Sequence, residues 1–214
     1  MFFIIPKNPS AFKDAPPTSA PLPPPMRPPP GPSPYRRARR WSSSSTDGRH
    51  ALRPALRRVF VWGRDLTRAQ STAQWLRDLG LPAQAVEDLE AAAREAHIIS
   101  CATTAGSPVV HGAWLEPGTH LDLVGGFTPA MREVDDAAVA RSRIVVDTYA
   151  GALAEAGDLL GPLASGAVSR EAIVAELAEL VRGEKQGRSR PDQITLFKSV
   201  GTALEDLCAA SLVV

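Results

Sequence analysis

Four short stretches of the chain carry residue types that can hold a ligand bearing ribose and phosphate. The richest spans residues 121–136 and reads Leu-Asp-Leu-Val-Gly-Gly-Phe-Thr-Pro-Ala-Met-Arg-Glu-Val-Asp-Asp. An apolar run ends in Val124, Gly125 and Gly126, a Thr-Pro turn follows, and a charged helix start comes next. In an open α/β sheet, the crevice at a strand's carboxyl end is where ligands sit. Glycine allows a positive φ and leaves room for a flat ring such as nicotinamide, and Phe127 would wall it. The alternative is a turn that needs glycine for its geometry alone.

The other three stretches are weaker when taken singly. Trp62-Gly63-Arg64-Asp65 follows an apolar run. At the end of the second strand of a dinucleotide fold, an acidic residue binds the ribose 2′-OH and an arginine accommodates a 2′-phosphate. Arg64 precedes Asp65, so NADP is favoured over NAD; the alternative is a solvent-exposed turn arginine. Cys101-Ala102-Thr103-Thr104-Ala105 offers small residues for close backbone approach, and the hydroxyls of Thr103 and Thr104 can donate to phosphate or ribose oxygens. A plain polar loop would look the same. Phe197-Lys198-Ser199-Val200-Gly201 precedes the last expected helix, where Ser199 and Gly201 can present N–H groups to an anion. Simple capping of that helix by Ser199 is the other reading.

No other reaction chemistry stands out. The histidines at 50, 97, 111 and 120 have no partner spacing for a metal site. Asp192 and Glu205 are isolated acids. There is no GxSxG elbow and no P-loop.

These stretches need elements to position them. The pattern predicts strands over 58–62, 82–86, 97–102, 120–124 and 144–147, alternating with helices over 67–79, 87–96 and 135–140. Strands alternating with short helices argue for βαβ units and a parallel sheet. Beyond Asp147 the pattern changes. Helices are expected over 149–156, 170–182 and 199–212, the middle one with an apolar stripe of Ile173, Leu177, Leu180 and Val181, and a strand-like run spans 193–197. This carboxyl-terminal part is expected to pack on the sheet or into a second domain.

The chain has 214 residues, a net charge of +1 and 44% hydrophobic residues, enough for one domain of ordinary size. The near-neutral charge gives no ground for nucleic acid or an anionic membrane as a bulk partner, and no apolar run reaches the ~18 residues of a membrane span. Cys101 and Cys208 form no CxxC and read as buried free thiols, which fits a reducing, cytoplasmic setting. Residues 1–54 hold 14 of the 20 prolines, with a basic patch at 36–40 and four serines at 42–45. A polyproline ligand or basic anchor is one reading; a disordered lead over residues 1–55 is favoured on composition.

Taken together, Cys101-Ala102-Thr103-Thr104, the Gly125-Gly126-Phe127-Thr128-Pro129-Ala130-Met131-Arg132-Glu133-Val134-Asp135 run, Ala154-Glu155-Ala156-Gly157-Asp158 and Ile194-Thr195-Leu196-Phe197-Lys198-Ser199-Val200-Gly201 resemble the ornithine cyclodeaminase/mu-crystallin family, from about Leu56 onward. The resemblance implies an incomplete Rossmann-like parallel sheet with flanking helices: a dinucleotide-binding domain over 56–150 and a helical segment over 151–214. It implies NADP, or NAD, as cofactor, bound by Arg64, Asp65, Thr103, Thr104, Val124, Gly125, Gly126, Phe127, Ser199 and Gly201. The Gly-Phe-Thr-Pro form resembles cyclic ketimine reductases, such as those of Δ1-pyrroline-2-carboxylate. True ornithine cyclodeaminases carry an aspartate after the two glycines, where this chain has Phe127. The partners implied are a small imino or amino acid and, since the family's active form is a dimer, a second copy.

Two departures qualify the resemblance. The family's Gly-x-Gly-x-x-Ala turn, which holds pyrophosphate on a helix amino end, has no counterpart in residues 41–51, and residues 1–40 do not supply the family's substrate domain. A frameshift or misplaced start codon would produce such a join. Three functions follow: an NAD(P)-dependent ketimine reductase, ornithine cyclodeaminase itself, or a non-enzymatic dinucleotide-binding protein or fragment. Without its first βα unit the strand at Val59 is also expected to lose a neighbour, leaving an exposed edge that favours association.

Overall fold

The computed structural model describes residues 2–6 and 57–211. The proline-rich runs, the basic patch and residues 41–51 lie outside the described residues. In chain order the strands are β1 (Phe2–Pro6), β2 (Val59–Trp62), β3 (Ala83–Ala85), β4 (Ala96–Cys101), β5 (His120–Leu123), β6 (Arg143–Val146), β7 (Ile173–Glu176) and β8 (Thr195–Lys198). They form one sheet in the order β3-β2-β1-β4-β5-β8-β6-β7. Every neighbouring pair is parallel except those made by β1. This is the expected Rossmann-like arrangement, with two unforeseen strands, β1 and β7.

β1 sits inside the sheet, between β2 and β4. Phe2 pairs with both Trp62 and Cys101, and the chain then runs antiparallel between β2 and β4. These five residues depart from the expected disordered lead. The strand at Val59 is paired on both sides, which removes that ground for expecting association.

The helices α1 (Leu66–Asp78), α2 (Leu89–Arg94) and α3 (Asp136–Ala140) start on acidic caps. Asp65, Asp88 and Asp135 each accept a hydrogen bond from the backbone N–H three residues on, the arrangement that satisfies an otherwise orphaned donor. α1 buries Ala69, Ala73 and Leu76 against Val59, Val61 and Ala83 on one face of the sheet. Phe60 points the other way into the larger cluster, with Ile99, Leu121, Leu123, Ile144 and Leu196. Alternate residues of β2 thus serve two cores, as a sheet covered on both faces requires.

The carboxyl-terminal part differs most from expectation. Residues 170–182 do not form one helix: a 3-10 turn (Arg170–Ala172) leads into β7 and then α6 (Leu177–Val181). Ile173 and Ala175 are buried where β7 pairs with β6, whereas Val181 is 79% exposed, so the apolar stripe does not exist. A short run such as Ile-Val-Ala fits helix and strand periods alike, and tertiary pairing decided it. α4 (Tyr149–Glu155) lies as expected, but α5 (Gly157–Ser165) was hidden by Gly157, Gly161 and Pro162. The segment 151–214, expected to be helical apart from the strand-like run over 193–197, contributes β7 as well as β8 to the sheet. The last helix, α7 (Ala203–Ser211), begins four residues later than expected. Thr202 caps it, accepting from Glu205 N–H at 3.2 Å while the Glu205 carboxylate accepts from Thr202 N–H.

Candidate active site

Parallel pairing puts the carboxyl ends of β2, β4, β5 and β8 along one edge of the sheet. Cys101 pairs with Leu123, so the two chains leave β4 and β5 side by side. Gly125 then passes so close to Thr103 that a side-chain carbon on it would overlap the Thr103 backbone and the Glu133 carboxylate. This is the close approach that requires glycine. Val124 and Phe127 flank the two buried glycines and are about half exposed, at 47% and 45%.

The second and third stretches meet in one cavity. Trp62, Gly63 and Arg64 from the end of β2 face Thr103 and Thr104 from the end of β4 across a space of about 360 Å³. Asp65 is not among the residues lining it. Its carboxylate caps α1 and lies 3.3 Å from Arg68.

Beneath the glycines lies a set of buried charges that the sequence reading did not single out. Glu133 is fully buried; one carboxylate oxygen accepts from Thr103 N–H at 2.6 Å and the other from Gly125 N–H at 2.9 Å. Asp158, at the start of α5, accepts from Glu133 N–H at 2.7 Å and Val134 N–H at 3.1 Å. Its other oxygen faces the Lys198 ammonium at 3.3 Å, and both side chains are fully buried. Lys198 also donates to the Leu123 carbonyl at 3.3 Å. A side chain on Gly126 would strike the Asp158 carboxylate.

Asp147, at the end of β6, organises the fourth stretch. One carboxylate oxygen accepts from Ser199 Oγ at 3.1 Å, Val200 N–H at 2.7 Å and Gly201 N–H at 2.8 Å. The N–H groups of Ser199 and Gly201, expected to face an anion, are already engaged, the first by the Leu123 carbonyl at 3.0 Å and the second by Asp147. Ser199 does not cap α7.

One sequence signal pointed at this hidden layer. Strand alternation places Lys198 on the same face as buried Leu196, and a lysine on an inward position requires a buried partner. Glu133 carried no such sign, because it reads as part of a charged helix start.

Cys101 is buried, while Cys208 is exposed. Burial, with the Glu133, Asp158 and Asp122 carboxylates nearby, pushes the Cys101 thiol well above its ordinary range. Since the thiolate is the reactive form, a thiol reagent at neutral pH should label the native chain once, at Cys208, and the unfolded chain twice. Mass spectrometry of the labelled protein checks this. Among the described residues, no group of three or more His, Cys, Asp or Glu is placed to hold a metal, and no helix is long and apolar enough to cross a membrane.

The residues present fit one end of a dinucleotide: the cavity lined by Arg64, Thr103 and Thr104 suits a phosphorylated ribose. Gly125 and Gly126 are required by packing, since the space beside them is filled by Thr103, Glu133 and Asp158. The centre differs. The slot between β2 and β4 holds an antiparallel strand, so among the described residues no strand-to-helix turn opens there toward a pyrophosphate.

Comparison with known proteins places the chain among relatives. The sequence profile of the ornithine cyclodeaminase/mu-crystallin family matches residues 43–214. A Δ1-pyrroline-2-carboxylate reductase of Paracoccus denitrificans is 43% identical over 163 residues, which cover 76% of this chain and 52% of the relative. The structure of Thermococcus litoralis Δ1-pyrroline-2-carboxylate reductase in complex with NADH and L-proline aligns with a TM-score of 0.71 and 39% identity, covering 73% of this chain and 49% of that one. An archaeal alanine dehydrogenase dimer with bound NAD aligns with a TM-score of 0.68 and 28% identity, over 73% of this chain and 48% of that one. The chain spans about half the length of the curated relatives it matches.

Proposed function

The chain belongs to the ornithine cyclodeaminase/mu-crystallin family, and from that premise we propose that it is an NAD(P)-dependent reductase of a small cyclic imino acid of the Δ1-pyrroline-2-carboxylate type. One observation carries the choice within the family. The residue after the Gly125–Gly126 cradle is the half-exposed, apolar Phe127, so no carboxylate stands there to handle the proton of a deamination. The reductases among the relatives support the same reading.

When bound, the reduced nicotinamide supplies a hydride, and the hard chemistry is the cofactor's. The chain's own residues bind and orient. Arg64 would pair with a 2′-phosphate, and Thr103 and Thr104 would hydrogen-bond ribose or phosphate oxygens from the cavity they line. Gly125 and Gly126 would hold the loop after β5 tight against Thr103, Glu133 and Asp158, so that the half-exposed Val124 and Phe127 would flank the ring and exclude water from it. Asp65 would act on the ribose only at the expense of its cap on α1. Ser199 and Gly201 would border the ring side, shaped by Asp147. NADH and NAD in the related structures support NAD as the other candidate. A second copy as partner is supported by the archaeal dimer, and a reducing cytoplasmic setting by two unpaired cysteines.

A second reading has its own support. The antiparallel strand in the slot where a pyrophosphate turn would open favours a non-enzymatic binding protein or fragment. A product assay separates the readings. The reductase reading expects NADPH consumption with Δ1-pyrroline-2-carboxylate, proline as product and no ammonia from ornithine. Ammonia release would establish the cyclodeaminase, and neither product would leave the non-enzymatic reading.

A further inference from the structure

We propose that Glu133 is the positioning residue of the crevice, and that Asp158 and Lys198 hold it in place. Glu133 is fully buried and touches two strand ends at once: Thr103 N–H after β4 and Gly125 N–H after β5. A single carboxylate thereby fixes the loop after β4, which lines the cavity facing Arg64, against the loop after β5. Both bonds are charge-assisted, the stronger kind.

The carboxylate cannot drift, because its own backbone is pinned. Asp158 accepts from Glu133 N–H and Val134 N–H, and Lys198, across the sheet on β8, sets Asp158 through their 3.3 Å ion pair. The Lys198 ammonium returns to the carbonyl of Leu123, the last residue of β5. The contacts form a closed circuit: β4 end, Glu133, β5 end, Lys198, Asp158 and back to Glu133. Two acidic side chains and one lysine are buried together. Well-packed apolar side chains would match such a set in stability, so its value lies in fixing geometry. A site needs its supporting shell held to within about 0.5 Å to be preorganised.

This inference rests on the crevice being the dinucleotide site, and the test separates the two. In the full chain, Glu133→Gln keeps the shape but loses one acceptor, so one N–H is left without a partner. Hydrogen exchange at Thr103 or Gly125 should accelerate on the order of tenfold, with Phe60 and Ile144 unchanged. NADPH affinity, read by nicotinamide fluorescence, should fall about tenfold. Glu133→Asp keeps the charge but is too short to span both donors, so it should not restore affinity. Unchanged exchange at both amides would overturn the bridging role. Faster exchange with undiminished NADPH affinity, or full rescue by aspartate, would overturn the positioning role. A wild-type chain that binds no NADPH would overturn the cofactor reading and the ligand half of this inference, while the exchange arm still decides the bridge.

Discussion

Gly125→Ala should weaken dinucleotide binding by roughly 100-fold and destabilise the fold by about 3 kcal/mol. The added carbon meets the Thr103 backbone and the Glu133 carboxylate, and neither is the free end of a flexible side chain. Thr103 is tied to Glu133, and Glu133 is tied to Asp158. Relief therefore requires the ends of β4 and β5 to part and the buried carboxylate to lose a donor. Overpacking of this kind costs about 3 kcal/mol, which carried into binding is roughly 100-fold in affinity. Gly80 and Gly166 are controls of a different kind. Both have positive φ but open space around them, so alanine there should cost only backbone strain of about 1 kcal/mol and leave binding intact. Chemical denaturation and cofactor titration on the three variants check the contrast.

The second large effect concerns the buried ion pair. Asp158→Asn removes the charge opposite Lys198 while keeping an oxygen for the Glu133 and Val134 N–H groups. Lys198 then loses its ion-pair partner while fully buried, and keeps its bond to the Leu123 carbonyl. Removing one partner of such a pair costs about 3–5 kcal/mol, or roughly 10 °C in melting temperature for a domain of this size. Adding Lys198→Met removes the orphaned charge at similar volume, so the double variant should recover most of that loss. A double variant no more stable than Asp158→Asn would mean that the ammonium matters through its bond to the Leu123 carbonyl and not through the pair.

How far these features could be read from sequence depends on what each residue's role is decided by. Strands such as Val59–Trp62 and Ile144–Val146 announce themselves as β-branched, apolar runs between turn residues, and Gly125–Gly126 marks the crevice because few other things need paired glycines at a strand end. β7 was not legible, since Ile173-Val174-Ala175 fits two periods and its pairing with β6 is a long-range matter. α5 was masked by its own breakers, Gly157 and Pro162. Yet Gly157 is required for the opposite reason: a side chain there would strike the Met131 carbonyl and lie 2.6 Å from that of Thr128. Phe2–Pro6 could not be anticipated, because its neighbours in the sheet lie more than fifty residues away in sequence. The buried carboxylates were the largest omission. Glu133, Asp147 and Asp158 act on backbone N–H groups of distant segments, and no local pattern records a partner of that kind. Arg64, Thr103 and Thr104 line one cavity because strand ends of a parallel sheet share an edge whatever the loops do.

The most direct test of the account is a titration of the full chain with NADPH and with NADH, followed by nicotinamide fluorescence. Saturable binding of both is expected, NADPH the tighter by about tenfold, with that preference lost in Arg64→Ala and affinity lowered roughly 100-fold in Gly125→Ala. Absence of binding at millimolar cofactor, or binding that Gly125→Ala leaves unchanged, would contradict it.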